Sequence, residues 1–281
     1  MESPLPFRSY HATAPRSPVV ISVPHAGRDY PRDCAPLCRV PLSQLVRLED
    51  RYADHLVEPC IEAGYCVIIA QTPRLWIDLN RAEDDLAVRP HVRNSATSVS
   101  AKARSGLGLI PTRLSGVAEI WRSPPNTAAI TQRITQTHRP YHEAISHALA
   151  SAHRRFGVAV LLDIHSMPPL VGPDMPTFVI GDRFGRSAGM EYSDGACSVF
   201  TAAGFRVALN TPYAGAYILE RHGRPDVGIH ALQVEVSRRC YLDAGMNLPG
   251  DGLGMVQRLI LNLAATFAES GATRDVPIAA E

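Results

Sequence analysis

At 281 residues and 46% hydrophobic, the chain is long enough to bury a sizeable core, as one large α/β domain or two ordinary ones. A formal net charge of +1, with acidic and basic residues interspersed, offers no basic face for nucleic acid. No apolar run approaches the roughly 18 residues of a membrane span, so neither nucleic acid nor a membrane is an expected partner.

Residues 1–17 are Pro-rich, carry Arg8 and Arg16, and lack the apolar stretch of a secretory signal. They read as an N-terminal extension, and the cytoplasm is the expected compartment. The six cysteines are scattered and form no CxxC pair, which argues against a zinc ribbon or a disulfide scaffold. No internal repeat or biased linker divides the chain, so residues 18–269 are expected to form a single domain. No oligomeric state is implied.

Val19 to Val23 is a short β-branched run that reads as a buried strand entering a loop at Pro24-His25-Ala26-Gly27. After Asp50, the spacing of Ala53, Leu56, Val57, Cys60 and Ile61 predicts a helix stopped by Gly64. Cys66 to Ala70 and Leu75 to Leu79 read as two more strands joined by a turn at Thr72-Pro73. His91 to Pro125 is long and irregular, a candidate lid or binding loop. Ala128 to Arg155 is a predicted helix, and Val158 to Ile164 is the most apolar strand of the chain, ending at His165. Thr177 to Ile180, Val207 to Leu209 and Leu232 to Val236 are further strands. Ser187 to Ala203 and Gly252 to Ala265 are further helices, and residues 270–281 read as a frayed tail. The alternation predicts an α/β fold with a mostly parallel or mixed central sheet flanked by helices.

Ligands of such sheets bind beyond the carboxyl ends of the strands, which directs attention to polar residues following apolar runs. His25 and His165 stand there, and Asp50 precedes a helix. Two imidazoles and a carboxylate form a ligand set for catalytic zinc, with a position left for water. The plainer readings are a satisfied polar residue at a strand end for each histidine and a helix N-cap for Asp50. HExxH, the Gly-x-Ser-x-Gly elbow and a phosphate-binding glycine loop are all absent, and Ser166 beside His165 lacks a partner arrangement for serine hydrolysis.

Arg74-Leu-Trp-Ile-Asp-Leu-Asn-Arg81 concentrates polarity on a stretch that is otherwise apolar. Burying it is costly unless its groups pair or meet a ligand. Arg74 and Arg81 each suit a carboxylate or a developing oxyanion, although an Arg81 to Asp78 salt bridge would also account for them. Along Leu232-Gln-Val-Glu-Val-Ser, strand alternation sets Gln233, Glu235 and Ser237 on one face. Glu235 is therefore a candidate general base, or else part of the solvated face of an edge strand. Arg238 and Arg239 read as surface residues able to steer an anion.

Together these segments resemble the N-formylglutamate amidohydrolase family from the first strand to Tyr241. The resemblance is carried by Val23-Pro-His-Ala-Gly27 with Tyr30-Pro31, Asp50-Arg-Tyr-Ala53, Arg74 through Asp78-Leu-Asn-Arg81, and Gly106-Leu-Gly-Leu-Ile-Pro111. Pro140-Tyr-His142, Asp163-Ile-His-Ser-Met167 and Gln233-Val-Glu-Val-Ser-Arg238 complete it. The family is distantly similar to the zinc carboxypeptidases and to the aspartoacylase and succinylglutamate desuccinylase group. The resemblance implies a zinc-carboxypeptidase-like (phosphorylase/hydrolase-like) fold and one zinc ion held by His25, Asp50 and His165, with Asp54 a rival for the carboxylate. It further implies Glu235 as base, Arg74 at the oxyanion, and Asn80 and Arg81 on a substrate carboxylate. Arg238 is a further candidate for substrate binding, and Asp78 and Asp163 are expected to orient the ligands. The implied reaction is hydrolysis of N-formyl-L-glutamate to formate and glutamate, as in histidine degradation. Another N-acyl acidic amino acid, a short peptide, or non-catalytic dicarboxylate binding are the alternatives. Ala26 in place of Ser, Ala214-Gly215 in place of Gly-Gly, and His222 in place of an aromatic residue depart from the family pattern near the implied pocket.

Overall fold

The β-branched run Val19–Val23 is a fully buried strand, and the sheet grows on both sides of it. The computed structural model describes residues 5–86, 100–114, 117–172 and 174–272. Its strands are β1 (Phe7–Tyr10), β2 (Val19–Val23), β3 (Cys66–Ala70), β4 (Arg113–Leu114), β5 (Val117–Glu119), β6 (Ala159–Met167), β7 (Phe178–Gly181), β8 (Val207–Leu209) and β9 (Ile229–Ser237). Seven of them form one sheet in the order β1-β3-β2-β6-β9-β7-β8, and β4 pairs with β5 in a separate hairpin. The central strands β3, β2, β6 and β9 are mutually parallel; β1 runs antiparallel to β3 and β7 antiparallel to β9. The architecture is the expected single α/β domain with a mixed sheet.

The two faces of the sheet differ. On one, Ile21, Val67, Leu162, Ile164, Phe178, Val234 and Val236 pack with Ala196 and Phe200 of the helix Met190–Ala202. Val256, Ile260 and Leu263 of the helix Leu253–Ala272 complete that cluster. On the other face, Val20, Ile68, Leu161 and Ala231 pack against Tyr141, Ile145, Ala148 and Leu149 of the helix Arg139–Phe156. Two residues further along the same strands, where alternation returns the side chain to that face, stand Ser22, Asp163 and Gln233, followed by His165 and Glu235. All five are buried. The carboxyl half of this face is therefore polar and lies beyond the apolar helix contact.

Several expectations need correction. Leu75–Leu79 is not a strand but a run of turns, because Trp76 N–H bonds to Pro73 O and Asn80 N–H to the Asp78 carboxylate instead of to a neighbouring strand. Its alternate residues Leu75, Ile77 and Leu79 are nonetheless buried, which is why it mimics a strand. β6 does not stop before His165 but carries it and runs on to Met167. The helix expected directly after Asp50 begins later, as a 3-10 turn at His55–Val57 followed by Glu58–Glu62. The long predicted helix is continuous from Thr127 to Phe156 but contains a π turn at Ile134–His138.

The N-terminal extension contributes Phe7–Tyr10 to the sheet as edge strand β1. The last helix continues to Ala272, into the segment expected to fray, and residues 273–281 lie outside the described residues. Of the proposed lid at 91–125, residues 91–99 and 115–116 also lie outside them. The remainder contains the helix Ala101–Arg104 and the hairpin β4–β5 rather than an irregular loop.

Candidate active site

His25 leaves the carboxyl end of β2, and His165 projects from β6 beside it. The two rings lie 4.8 Å apart, centroid to centroid. Asp50 joins them from the loop after Val46–Leu48, which is tied down by a hydrogen bond from Asp50 N–H to His25 O at 2.9 Å. Each of the three side chains offers a ligand atom within 4.8 Å of the other two, and all three are buried. Asp54, the rival carboxylate, instead accepts two hydrogen bonds from Arg28 at 2.8 and 2.6 Å. Asp50 caps no helix.

Both imidazoles are held by carboxylates through the same ring nitrogen. His25 Nε2 lies 2.7 Å from Asp78 Oδ1, and His165 Nε2 lies 2.9 Å from Asp163 Oδ2. Asp163 is fixed in turn by the Ser22 hydroxyl, which donates at 2.8 Å from the facing position of β2. A ring that donates Nε2–H keeps its Nδ1 lone pair, and both Nδ1 atoms face Asp50, at 3.0 Å from His165 and 3.6 Å from His25. His25 Nδ1 is buried and has no hydrogen-bond partner. An orphaned acceptor of that kind, beside a second imidazole lone pair and a carboxylate, fits a divalent cation.

The electrostatics agree with that fit. Burial opposes charge on His165, yet Asp163 and Asp50 overcome it and push the imidazole pKa well above its ordinary value, so the site favours positive charge. Burial would raise the Asp50 carboxyl, but His165 and His25 hold it well below the usual carboxylate range.

Glu235 stands directly across from His165 in the parallel register of β6 and β9. Strand β9 lies between β6 and β7, so the alternative of a solvated edge does not hold. Gln233, two residues earlier on the same face, donates to Glu235 Oε1 at 2.9 Å. Burial pushes the Glu235 carboxyl up; His165 and Arg74 oppose this while Asp50 and Asp163 add to it, leaving the pKa at about 7.

Asp78 accepts from Arg74 Nε at 2.8 Å on its second oxygen, whereas Arg81 Nε is 3.8 Å away and bonds to Leu107 O at 3.0 Å. The alternative of an Arg81 to Asp78 pairing is thus secondary to that of Arg74. Asn80 is also structural: its Oδ1 accepts from Ile218 N–H at 2.8 Å, which turns its amide nitrogen toward His165 and Gln233. With His165 Nε2–H given to Asp163, that contact is a packing contact and not a hydrogen bond. Arg238 reaches Ser166 Oγ at 3.1 Å and Asp50 Oδ1 at 3.4 Å, so it is not a surface residue but buttresses the carboxylate.

The Asn80 loop is supported from behind by three imidazoles. His142 Nε2 lies 2.9 Å from Leu79 O, and His138 Nε2, at the end of the π turn, lies 2.8 Å from Arg81 O. His142 Nδ1 then accepts from His222 Nε2 at 3.0 Å. Burial depresses His142 well below its ordinary pKa and lowers His222 to about 3, so both rings are neutral.

His25, Asp50, Arg74, Asn80, Arg81, His165, Glu235 and Arg238 all line one cavity of about 480 Å³. Asp78 and Asp163 sit behind it. Arg47, Lys102 and Tyr213 also line it and were not singled out from sequence. Each lies on a loop or short helix with no strand-end signal to mark it.

A mixed α/β sheet that gathers two imidazoles, a carboxylate and a facing glutamate in one cavity defines an enzyme with a candidate metal centre. The family model of N-formylglutamate amidohydrolase matches residues 17–242, and the chain belongs to that family. It is 29% identical to the N-formylglutamate deformylases of Pseudomonas aeruginosa and Pseudomonas putida, in each case over 81% of this chain and 83% of the relative. The crystal structure of N-formylglutamate amidohydrolase from Ralstonia eutropha JMP134 superposes with a TM-score of 0.84 at 29% identity, covering 94% of this chain and 98% of that one. A protein from Agrobacterium tumefaciens shares the fold at 16% identity with a TM-score of 0.66, covering 95% of both chains. The enzyme is therefore an amide hydrolase.

Proposed function

We propose that the protein hydrolyses N-formyl-L-glutamate to formate and L-glutamate, as in histidine degradation, with one zinc ion held by His25, Asp50 and His165. The observation that carries this is the orphaned Nδ1 of His25, turned toward Asp50 and His165 while Glu235 faces the same cavity. Bound zinc would supply Lewis-acid polarisation of the formyl carbonyl and acidify water.

The chain's own residues do the rest. Glu235, with a pKa near neutrality, takes the proton from the attacking water at its carboxylate and returns it to the departing amine nitrogen. Arg74, oriented through Nε by Asp78, presents its remaining N–H groups to the developing oxyanion, a contribution of about 3 kcal/mol in sites of this type. Asp78 and Asp163 hold the two imidazoles in the tautomer that leaves Nδ1 free. Arg81, on the loop braced by Asn80, binds a substrate carboxylate, aided by Arg238. The six cysteines are free, in keeping with a reducing cytoplasmic setting.

Glu235→Gln tests the assignment of the base. Zinc content should be retained while turnover falls about 10²- to 10⁴-fold; wild-type turnover in the zinc-loaded variant would eliminate the role. Hydrolysis of N-formylglutamate, N-acetylaspartate and N-succinylglutamate by the wild type tests the substrate, and no activity on the first would overturn that assignment.

A further inference from the structure

Lys102 is the only lysine in the sequence; at every other position the strongly basic residue is arginine. That single lysine lines the active-site cavity. Its backbone is anchored by the buried neighbour Ala103, and its carbonyl accepts from Leu107 N–H at 2.8 Å and from the Ser105 hydroxyl at 2.7 Å. The short helix Ala101–Arg104 is capped by Ser100, whose hydroxyl is bonded to Asp85 at 2.8 Å. Lys102 thus projects from a fixed platform.

Of the four guanidinium groups that line the cavity, three are already engaged, and the fourth, Arg47, is exposed and is compared with Lys102 in the test below. Arg74 is paired with Asp78, Arg81 is bonded to Leu107 O, and Arg238 is divided between Ser166 and Asp50. Among the described residues Lys102 makes no ion pair. An N-acyl glutamate brings two carboxylates, and one guanidinium on the Asn80 loop accounts for only one of them. A flexible four-carbon stem ending in three donors suits the second, which sits on a rotatable side chain and arrives at varied angles.

We propose that Lys102 binds the distal carboxylate of the substrate and thereby selects dicarboxylic N-acyl amino acids over their neutral analogues. This rests on the substrate class proposed above. Partial burial, followed by the neighbouring Arg81 and Arg74, lowers the Lys102 pKa, and Glu235 and Asp78 oppose that shift. The ammonium thus shares the electrostatic surroundings of the reacting centre, and an incoming carboxylate would offset the neighbouring positive charge.

The test compares N-formyl-L-glutamate with N-formyl-L-glutamine in wild type, Lys102→Met, Lys102→Arg and Arg47→Met. Lys102→Met should lower the glutamate-to-glutamine ratio of kcat/KM about tenfold or more, mainly through KM, as expected for loss of one charged hydrogen bond. Lys102→Arg should restore most of the ratio. An unchanged ratio in Lys102→Met, or a ratio lost only in Arg47→Met, overturns the assignment. A second readout does not depend on turnover. Amine acetylation can modify only Lys102 and the chain's α-amino group, and peptide mapping separates them. Glutarate should slow acetylation of Lys102 whereas butyrate should not; equal rates with and without glutarate overturn the proposal. Failure of the wild type to hydrolyse N-formylglutamate would remove the proposed reaction but leave the glutarate result to judge Lys102 separately.

Discussion

Replacing Asp78 by Asn removes one charge and almost no volume from a fully buried position. In the wild type, Oδ1 accepts from His25 Nε2 at 2.7 Å and from Asn80 N–H at 2.9 Å, while Oδ2 accepts from Arg74 Nε at 2.8 Å. An amide can satisfy only one side. Keeping its oxygen toward His25 and Asn80 saves two hydrogen bonds and turns its NH₂ group against the Arg74 N–H, donor against donor. The guanidinium then loses its counter-ion in a partly buried site, a defect that costs about 3 kcal/mol in comparable pairs. For a chain of this length that corresponds to a loss of roughly 6–12 °C in Tm. In the proposed metal site, His25, now donating to a neutral acceptor, would be a weaker ligand, and affinity for zinc should fall about 10- to 100-fold.

The pH dependence supplies a further check on Asp78→Asn. Burial alone would raise the Asp78 carboxyl, but Arg74 and His25 hold it well below the usual range. Its contribution is therefore present above about pH 3.9 and is lost as pH falls through the depressed folded value, so the deficit of the variant should shrink in acid. Thermal melts with and without zinc, together with a chelator competition, measure both effects. A variant that melts within about 1 °C of the wild type and binds zinc equally tightly would refute the role assigned to Asp78.

Other outcomes follow from the same geometry. His142 and His222 are buried neutral with depressed pKa values, so the unfolded chain binds protons that the folded chain refuses. Their contribution to stability is fully present above about pH 6.5 and should fall by roughly 3 kcal/mol between pH 6.5 and 5, a loss that the raised pKa of His165 offsets in part. Urea titrations of His222→Phe should show a shallower slope over that window, and an unchanged slope would contradict the account. Gly27 allows the His25 loop to lie against the Gln71-Thr72 segment that follows β3, where a Cβ would collide with Thr72 O and sit 2.6 Å from Gln71 O. Because both obstacles are backbone, Gly27→Ala should cost at least about 1–3 kcal/mol and loosen zinc binding through the displaced imidazole; wild-type melting and affinity would show that the loop has room to spare.

Much of the framework was legible because its signals are local. Val19–Val23 and Cys66–Ala70 announce themselves as strands by uninterrupted β-branched and apolar content, and both occupy the buried centre of the sheet. Leu75–Leu79 places a buried apolar residue at every second position without being a strand, since alternate burial also arises when a chain of turns lies over a core. The role of Asn80 was only half visible: its side chain meets Ile218 N–H, a partner 138 residues away that no window of sequence contains.

Residue chemistry and strand-end placement were enough to nominate His25, Asp50, His165 and Glu235, because a polar side chain following or interrupting a buried apolar run is anomalous in any chain. They were not enough to choose Asp50 over Asp54. That choice rests on a backbone bond from Asp50 to His25 and on Arg28 engaging Asp54, contacts between loops brought together only when the sheet forms. The same holds for ring orientation: composition supplies the imidazoles, but the lone pair each one presents is set by Asp78 and Asp163, whose positions follow from packing across the assembled fold.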